Sequence, residues 1–134
     1  MLTIDLESVC FLVVKAHAFD AEVEVTESDA GSNPANDDQR ETLRDYESDP
    51  TYEELKGYID SLNEDEQIDL VTLTWIGRGD FTGKEWKAAR REARSARSDH
   101  TATYLLGMPL LGDYLEEGLA QLGYSCEDYE LGRL

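Results

Sequence analysis

The stretch Asn63-Glu64-Asp65-Glu66-Gln67-Ile68-Asp69-Leu70-Val71-Thr72-Leu73-Thr74-Trp75-Ile76-Gly77 decides the fold. Asn63 followed three residues later by Glu66 is a capping-box start, in which each side chain satisfies a backbone N–H of the other residue. From Ile68 to Ile76 the apolar side chains point nearly all round a helical wheel, as in a helix enclosed by its neighbours. Gly77 is the expected stop. With no second strand-like run to pair with, the expected class is all-α, and this segment is its central helix.

On the N-terminal side, Asp49-Pro50 reads as an N-cap followed by proline at the first helical position. Tyr52, Leu55, Ile59 and Leu62 then recur on one face of a helix of about three turns. Further back, Leu6 to Phe19 places Leu6, Val9, Cys10, Val13 and His17 on one stripe, with Phe11, Leu12 and Val14 facing elsewhere, which predicts a helix buried on most sides. Being apolar almost all round, that helix could complete a homodimer as readily as a monomeric core. Residues 21–49 change character: ten carboxylates face only Arg40 and Arg44, large apolar residues are scarce, and Gly31-Ser32-Asn33-Pro34 breaks any periodicity. They read as one long, mobile acidic loop.

On the C-terminal side, Thr82 and Glu85 repeat the cap signal before a helix reaching about Ser98. Asp99 is the expected cap of a short helix through Leu106, ended by Gly107. Pro109 is the expected start of a last helix lined by Leu111, Leu115, Gly118, Leu119 and Leu122. The tail 124–134 reads as loosely held. Together these signals predict a single helical domain over 1–134, a compact bundle of five or six helices. Its expected core is Leu6, Val9, Val13, Leu55, Ile59, Leu62, Val71, Trp75, Trp86, Leu105, Leu111, Leu115 and Leu119.

The 134 residues carry 30 acidic against 12 basic side chains, a formal charge of −18. Such a chain repels phosphate backbones and anionic membrane surfaces at long range. No apolar run reaches the roughly 18 residues of a membrane helix, and the start Met1-Leu2-Thr3-Ile4-Asp5 lacks the basic residues of a secretory signal. Cys10 and Cys126 form no recognisable spacing motif, so two reduced thiols and a cytoplasmic location are expected. The charge is unevenly spread. Residues 84–97 hold six basic and two acidic side chains, whereas the rest of the chain holds six basic and 28 acidic. At 100° per residue, Lys84, Lys87, Arg90, Arg91, Arg94 and Arg97 fall within an arc of about 140°, and Trp86, Ala89, Ala93 and Ala96 share the adjoining face.

The motifs Asp69-Leu70-Val71-Thr72-Leu73-Thr74-Trp75-Ile76-Gly77-Arg78-Gly79-Asp80 and Thr101-Ala102-Thr103-Tyr104-Leu105-Leu106-Gly107-Met108-Pro109-Leu110-Leu111-Gly112-Asp113-Tyr114-Leu115-Glu116-Glu117-Gly118-Leu119, with Trp86 between them, resemble a family of short bacterial proteins classed only as a domain of unknown function. The similarity spans about 50–125. It implies a bacterial, cytoplasmic, helical protein and carries over no catalytic or binding residue.

Clustered guanidinium groups hold oxyanions by paired hydrogen bonds, so Lys87, Arg90, Arg91, Arg94 and Arg97 are candidate partner-binding residues. The competing reading is internal charge balance, for instance against Asp113, Glu116 and Glu117. Arg78 and Asp80 form a second candidate site in the turn Gly77–Thr82, whose bland reading is turn and cap chemistry. It lacks the ligand series of a calcium loop. His17 lies too far along its helix from Cys10 for a thiolate–imidazole pair and reads as a core histidine. His100 reads as part of a capping segment. Glu66 with Asp69, and Asp113 with Glu116 and Glu117, have helical spacing, but neither set is followed by the histidine of a Glu-x-x-His metal motif. No phosphate cradle, cofactor or metal-ligand set is legible. The expectation is a non-enzymatic protein-interaction or regulatory module with a protein partner. The alternative is a small metal-dependent or hydrolytic enzyme using Asp80, Asp99, His100 or the Asp113–Glu117 turn. A further alternative is an acidic nucleic-acid mimic or a salt-adapted protein.

Overall fold

The computed structural model describes residues 2–29 and 50–127. The described residues form six α-helices and one short 3-10 turn, with no strand among them, in agreement with an all-α bundle. The helices are α1 (Leu6–Asp29), α2 (Pro50–Ser61), α3 (Glu64–Arg78), α4 (Trp86–Ala96), α5 (Thr101–Leu106) and α6 (Leu111–Gln121).

Helix α3 is the axis of the bundle. Its capping box is present in both directions: Glu66 N–H donates to Asn63 Oδ1 at 2.8 Å and Asn63 N–H donates to Glu66 Oε1 at 2.9 Å. Residues Gln67 to Thr74, and Ile76, are all buried. The buried hydroxyls of Thr72 and Thr74 donate to the carbonyls of Ile68 and Leu70, so enclosing them leaves no donor unsatisfied. The helix ends two residues later than expected. Gly79, at φ 99°, takes the left-handed position, and the N–H groups of Gly79 and Asp80 both return to Trp75 O.

Gly77 has a different task. A Cβ there would lie 1.8 Å from Tyr114 O on α6, and one at Gly118 would lie 2.3 Å from Leu73 O. Two bare positions thus let the backbones of α3 and α6 touch directly. This is the most extensive helix pairing in the bundle, and α1 packs against the other side of α6.

Helix α1 continues to Asp29, ten residues beyond the expected end at Phe19. Between Leu6 and Phe19 it buries Val9, Leu12, Val13, Ala16 and Phe19 within this chain, so one copy covers most of the apolar face of that stretch. Of the acidic stretch, residues 30–49 lie outside the described residues, as do the proposed Asp49 cap and the tail from 128. The expected core holds for Val9, Val13, Leu55, Ile59, Val71, Trp86, Leu105, Leu111, Leu115 and Leu119. Leu6, Leu62 and Trp75 are only partly buried against it.

Further expectations change. Cys10 and Cys126 are not free thiols but form a disulfide, with Cα atoms 5.4 Å apart and both residues buried. The bond, together with the Tyr124 N–H to Leu119 O hydrogen bond, pins the segment after α6 that composition alone made look loose. The start of α5 is also organised differently: Ser98, rather than Asp99, accepts from the His100 N–H, and Ser98 O accepts from the Thr101 hydroxyl. Helix α6 begins at Leu111 after Leu110, the one non-glycine residue at positive φ among those described, so Pro109 precedes the helix rather than opening it.

Candidate interaction surface

Helix α4 follows a 3-10 turn over Gly83–Glu85, where Glu85 Oε1 accepts the Thr82 N–H at 2.8 Å. Its apolar edge, Trp86, Ala89 and Ala93, is buried against the bundle. The basic arc beside that edge divides into two parts with different environments.

The inner part is neutralised by α3. Arg90 Nε donates to Asp69 Oδ1 at 2.7 Å, and its Nη2 reaches Asp65 Oδ1 at 3.3 Å. Arg94 Nη2 shares that Asp65 oxygen at 3.2 Å. Asp65 and Asp69 lie one turn apart on α3, and Arg90 and Arg94 one turn apart on α4, so the two helices meet through matched i,i+4 pairs. Asp69 is wholly buried, and its other oxygen accepts the N–H groups of Thr3 and Ile4 at 2.5 and 3.2 Å. One carboxylate therefore ties together the N-terminal segment, α3 and α4. Its hydrogen bond holds the Arg90 guanidinium above its ordinary pKa. Arg97 donates to Gln67 Oε1 at 3.2 Å, while the amide nitrogen of Gln67 donates to Ile59 O at the end of α2. The balancing acids are those of the central helix, not the Asp113–Glu117 turn.

The outer part has no such partners. Lys84, Lys87 and Arg91 are exposed and make no ion pair among the described residues. With Arg94, which pairs with Asp65 yet keeps half its side chain in water, they follow i, i+3, i+7, i+10 from the 3-10 turn into α4. That spacing gives a basic stripe about 15 Å long.

Helices α3, α4 and α5 line an open cleft of about 220 Å³. Its lining includes Ile68, Val71 and Trp75 of α3 together with Arg97, His100 and Tyr104. The Trp75 indole N–H donates to the Tyr104 hydroxyl at 2.9 Å, fixing both rings. Tyr104 is 44% exposed.

Arg78 and Asp80 come together as a pair in the turn after α3, with Nε and Nη2 of Arg78 donating to one oxygen of Asp80 at 2.8 and 2.5 Å. That bond raises the Arg78 pKa above its ordinary value. Arg78 also donates from Nη1 to Met108 Sδ at 3.8 Å, so it links its own turn to the segment after α5. His17, expected in the core, is partly exposed, and its Nε2 lies 3.0 Å from Asp113 Oδ1 on α6. No local sequence signal links two residues 96 positions apart. The groups of the enzyme alternative are dispersed: Asp80 is engaged by Arg78, while His100 lies at the cleft and Asp113 against α1.

No curated protein and no solved structure matches this chain. Residues 52–124, from the first turn of α2 to just past α6, match the family described as protein of unknown function, DUF3775. That span contains the Asp65–Asp69 and Arg90–Arg94 seam, the basic stripe and the cleft, and the chain belongs to that family.

Proposed function

We propose that this protein is a non-enzymatic interaction module that docks an acidic protein segment along the outward stripe of α4. The reading rests on one observation: among the described residues, Lys84, Lys87 and Arg91 stay exposed and make no ion pair, in a chain with 30 acidic residues. Exposed cations in so acidic a chain suit an external partner of opposite charge. The acidic remainder of the surface orients that partner toward α4 and repels nucleic acid. The nearby cleft, with Trp75 and Tyr104, offers an apolar foothold of side-chain size.

The test uses a labelled helical peptide rich in Glu with one aromatic residue, and its Gln-substituted counterpart. Binding of the acidic form alone, weakened by moderate salt and lost in a Lys87→Glu/Arg91→Glu variant that melts like the parent, supports the reading. Equal binding of both peptides, unchanged affinity in that variant, or preference for a duplex oligonucleotide contradicts it.

For location, no helix among the described residues is long and apolar enough to cross a membrane. The cytoplasm remains the proposed location, although disulfides are rare in reducing compartments. Burial of both sulfurs, which limits access by thiols, supports survival of the Cys10–Cys126 bond there.

A further inference from the structure

The acidic turn at the start of α6 lacks a following histidine in the sequence, but the fold supplies one from α1. His17, Asp113 and Glu116 each offer a ligand atom, and these atoms all lie within 4.8 Å of one another. We infer that these three side chains form a binding site for a divalent transition cation, independent of the α4 surface.

Geometry carries the argument first. The 3.0 Å between His17 Nε2 and Asp113 Oδ1 is close to the separation of two neighbouring donors around an ion with bonds of about 2.1 Å. Asp113 and Glu116 are one helical turn apart on α6, so both carboxylates project toward the same side. The imidazole is seated by Gly112: a Cβ there would lie 2.4 Å from His17 Cδ2 and 2.9 Å from Nε2. On α1, His17 adjoins Ala16 and lies one turn beyond Val13, both of them buried, which fixes the backbone that carries it.

Charge is the second observation. Glu116 makes no hydrogen bond or ion pair among the described residues, and no lysine or arginine pairs with Asp113. Two carboxylates thus face one imidazole with no fixed cation between them, a deficit that a divalent ion removes. The donors are one nitrogen and two oxygens, a mixed set suited to zinc, cobalt, nickel or manganese rather than to calcium. Asp113 and Glu116 are exposed, so water completes the coordination, as in open sites with three protein ligands.

The experiment is a titration of Co²⁺, and separately Zn²⁺, into the chelator-treated full chain with excess Mg²⁺ to occupy non-specific carboxylates. Glu116→Gln is the discriminating variant, because Glu116 takes no part in the His17–Asp113 pair. The expected result is one ion per chain, a visible Co²⁺ spectrum, and binding weakened by more than about tenfold in both Glu116→Gln and His17→Gln. The Glu116→Gln protein should melt like the parent when no ion is added. Substoichiometric binding, or equal binding by the parent and both variants, would overturn the site and leave a plain imidazole–carboxylate pair.

Discussion

Arg90 of α4 donates from Nε to Asp69 of α3 at 2.7 Å, and Asp69 is a fully buried carboxylate that also accepts the N–H groups of Thr3 and Ile4. The pair decides how the basic helix is used, because it commits the inner guanidinium groups to the bundle and leaves only the outer stripe for a partner.

Arg90→Ala should therefore cost about 3–5 kcal/mol, the effect of leaving a buried charge uncompensated. Replacing both members by apolar residues should still destabilise, since the Thr3 and Ile4 N–H groups lose their acceptor. The hydrogen bond raises the Arg90 pKa, so its contribution is complete below the ordinary guanidinium range and is lost only as pH rises through the raised value. Chemical denaturation of the parent and of Arg90→Ala at neutral and mildly alkaline pH checks this: the difference between them should stay constant.

The glycines of the α3–α6 crossing give a second prediction. Gly77→Ala and Gly118→Ala place a Cβ within 1.8 and 2.3 Å of facing carbonyl oxygens, so each should destabilise by about 3 kcal/mol through forced separation of the helices. Gly57→Ala, in the exposed interior of α2 with nothing within 4 Å, should stabilise by about 0.5–1 kcal/mol. Opposite shifts in melting temperature are the expected signature.

Much of the helical plan was legible before the fold was known. The Asn63–Glu66 box, the Thr82–Glu85 signal and the Leu55–Ile59 stripe are local patterns, and local patterns state where a helix starts and which face it hides. Gly77 and Gly79 show where that stops. Either could end α3 by propensity, and only the approach of Tyr114 assigns Gly77 to packing and Gly79 to the cap. Arg90 and Arg94 could be seen to share a face, but which acids they met could not, because the α3–α4 turn sets that register. The Cys10–Cys126 bond and the His17–Asp113 pair join residues 116 and 96 positions apart, beyond the reach of any periodicity.

The disulfide supplies a third prediction. It closes almost the whole chain, and the loop-entropy estimate for a closure of that size is about 4–5 kcal/mol. Urea unfolding of Cys126→Ser, or of the parent under strong reductant, should show a loss approaching that figure. A midpoint indifferent to reduction would show that the bond does not constrain the unfolded chain.

Packing separates Leu73 from Trp75, two residues apart on α3. Leu73 is wholly enclosed, so Leu73→Ala should cost about 2–5 kcal/mol. Trp75 lines the cleft and keeps part of its ring in water, so Trp75→Phe, which removes only the Tyr104 hydrogen bond and the outer ring, should cost about 1 kcal/mol. Paired thermal melts decide the order.

The most direct test of the account is a residue-resolved NMR titration of the isotope-labelled full chain with the Glu-rich peptide. The account predicts that amide shifts concentrate at Lys84, Lys87, Arg91 and Arg94 and fade with salt, with the buried Asp69–Arg90 pair unmoved. Saturable shifts centred elsewhere, or none in the presence of excess peptide, would contradict it.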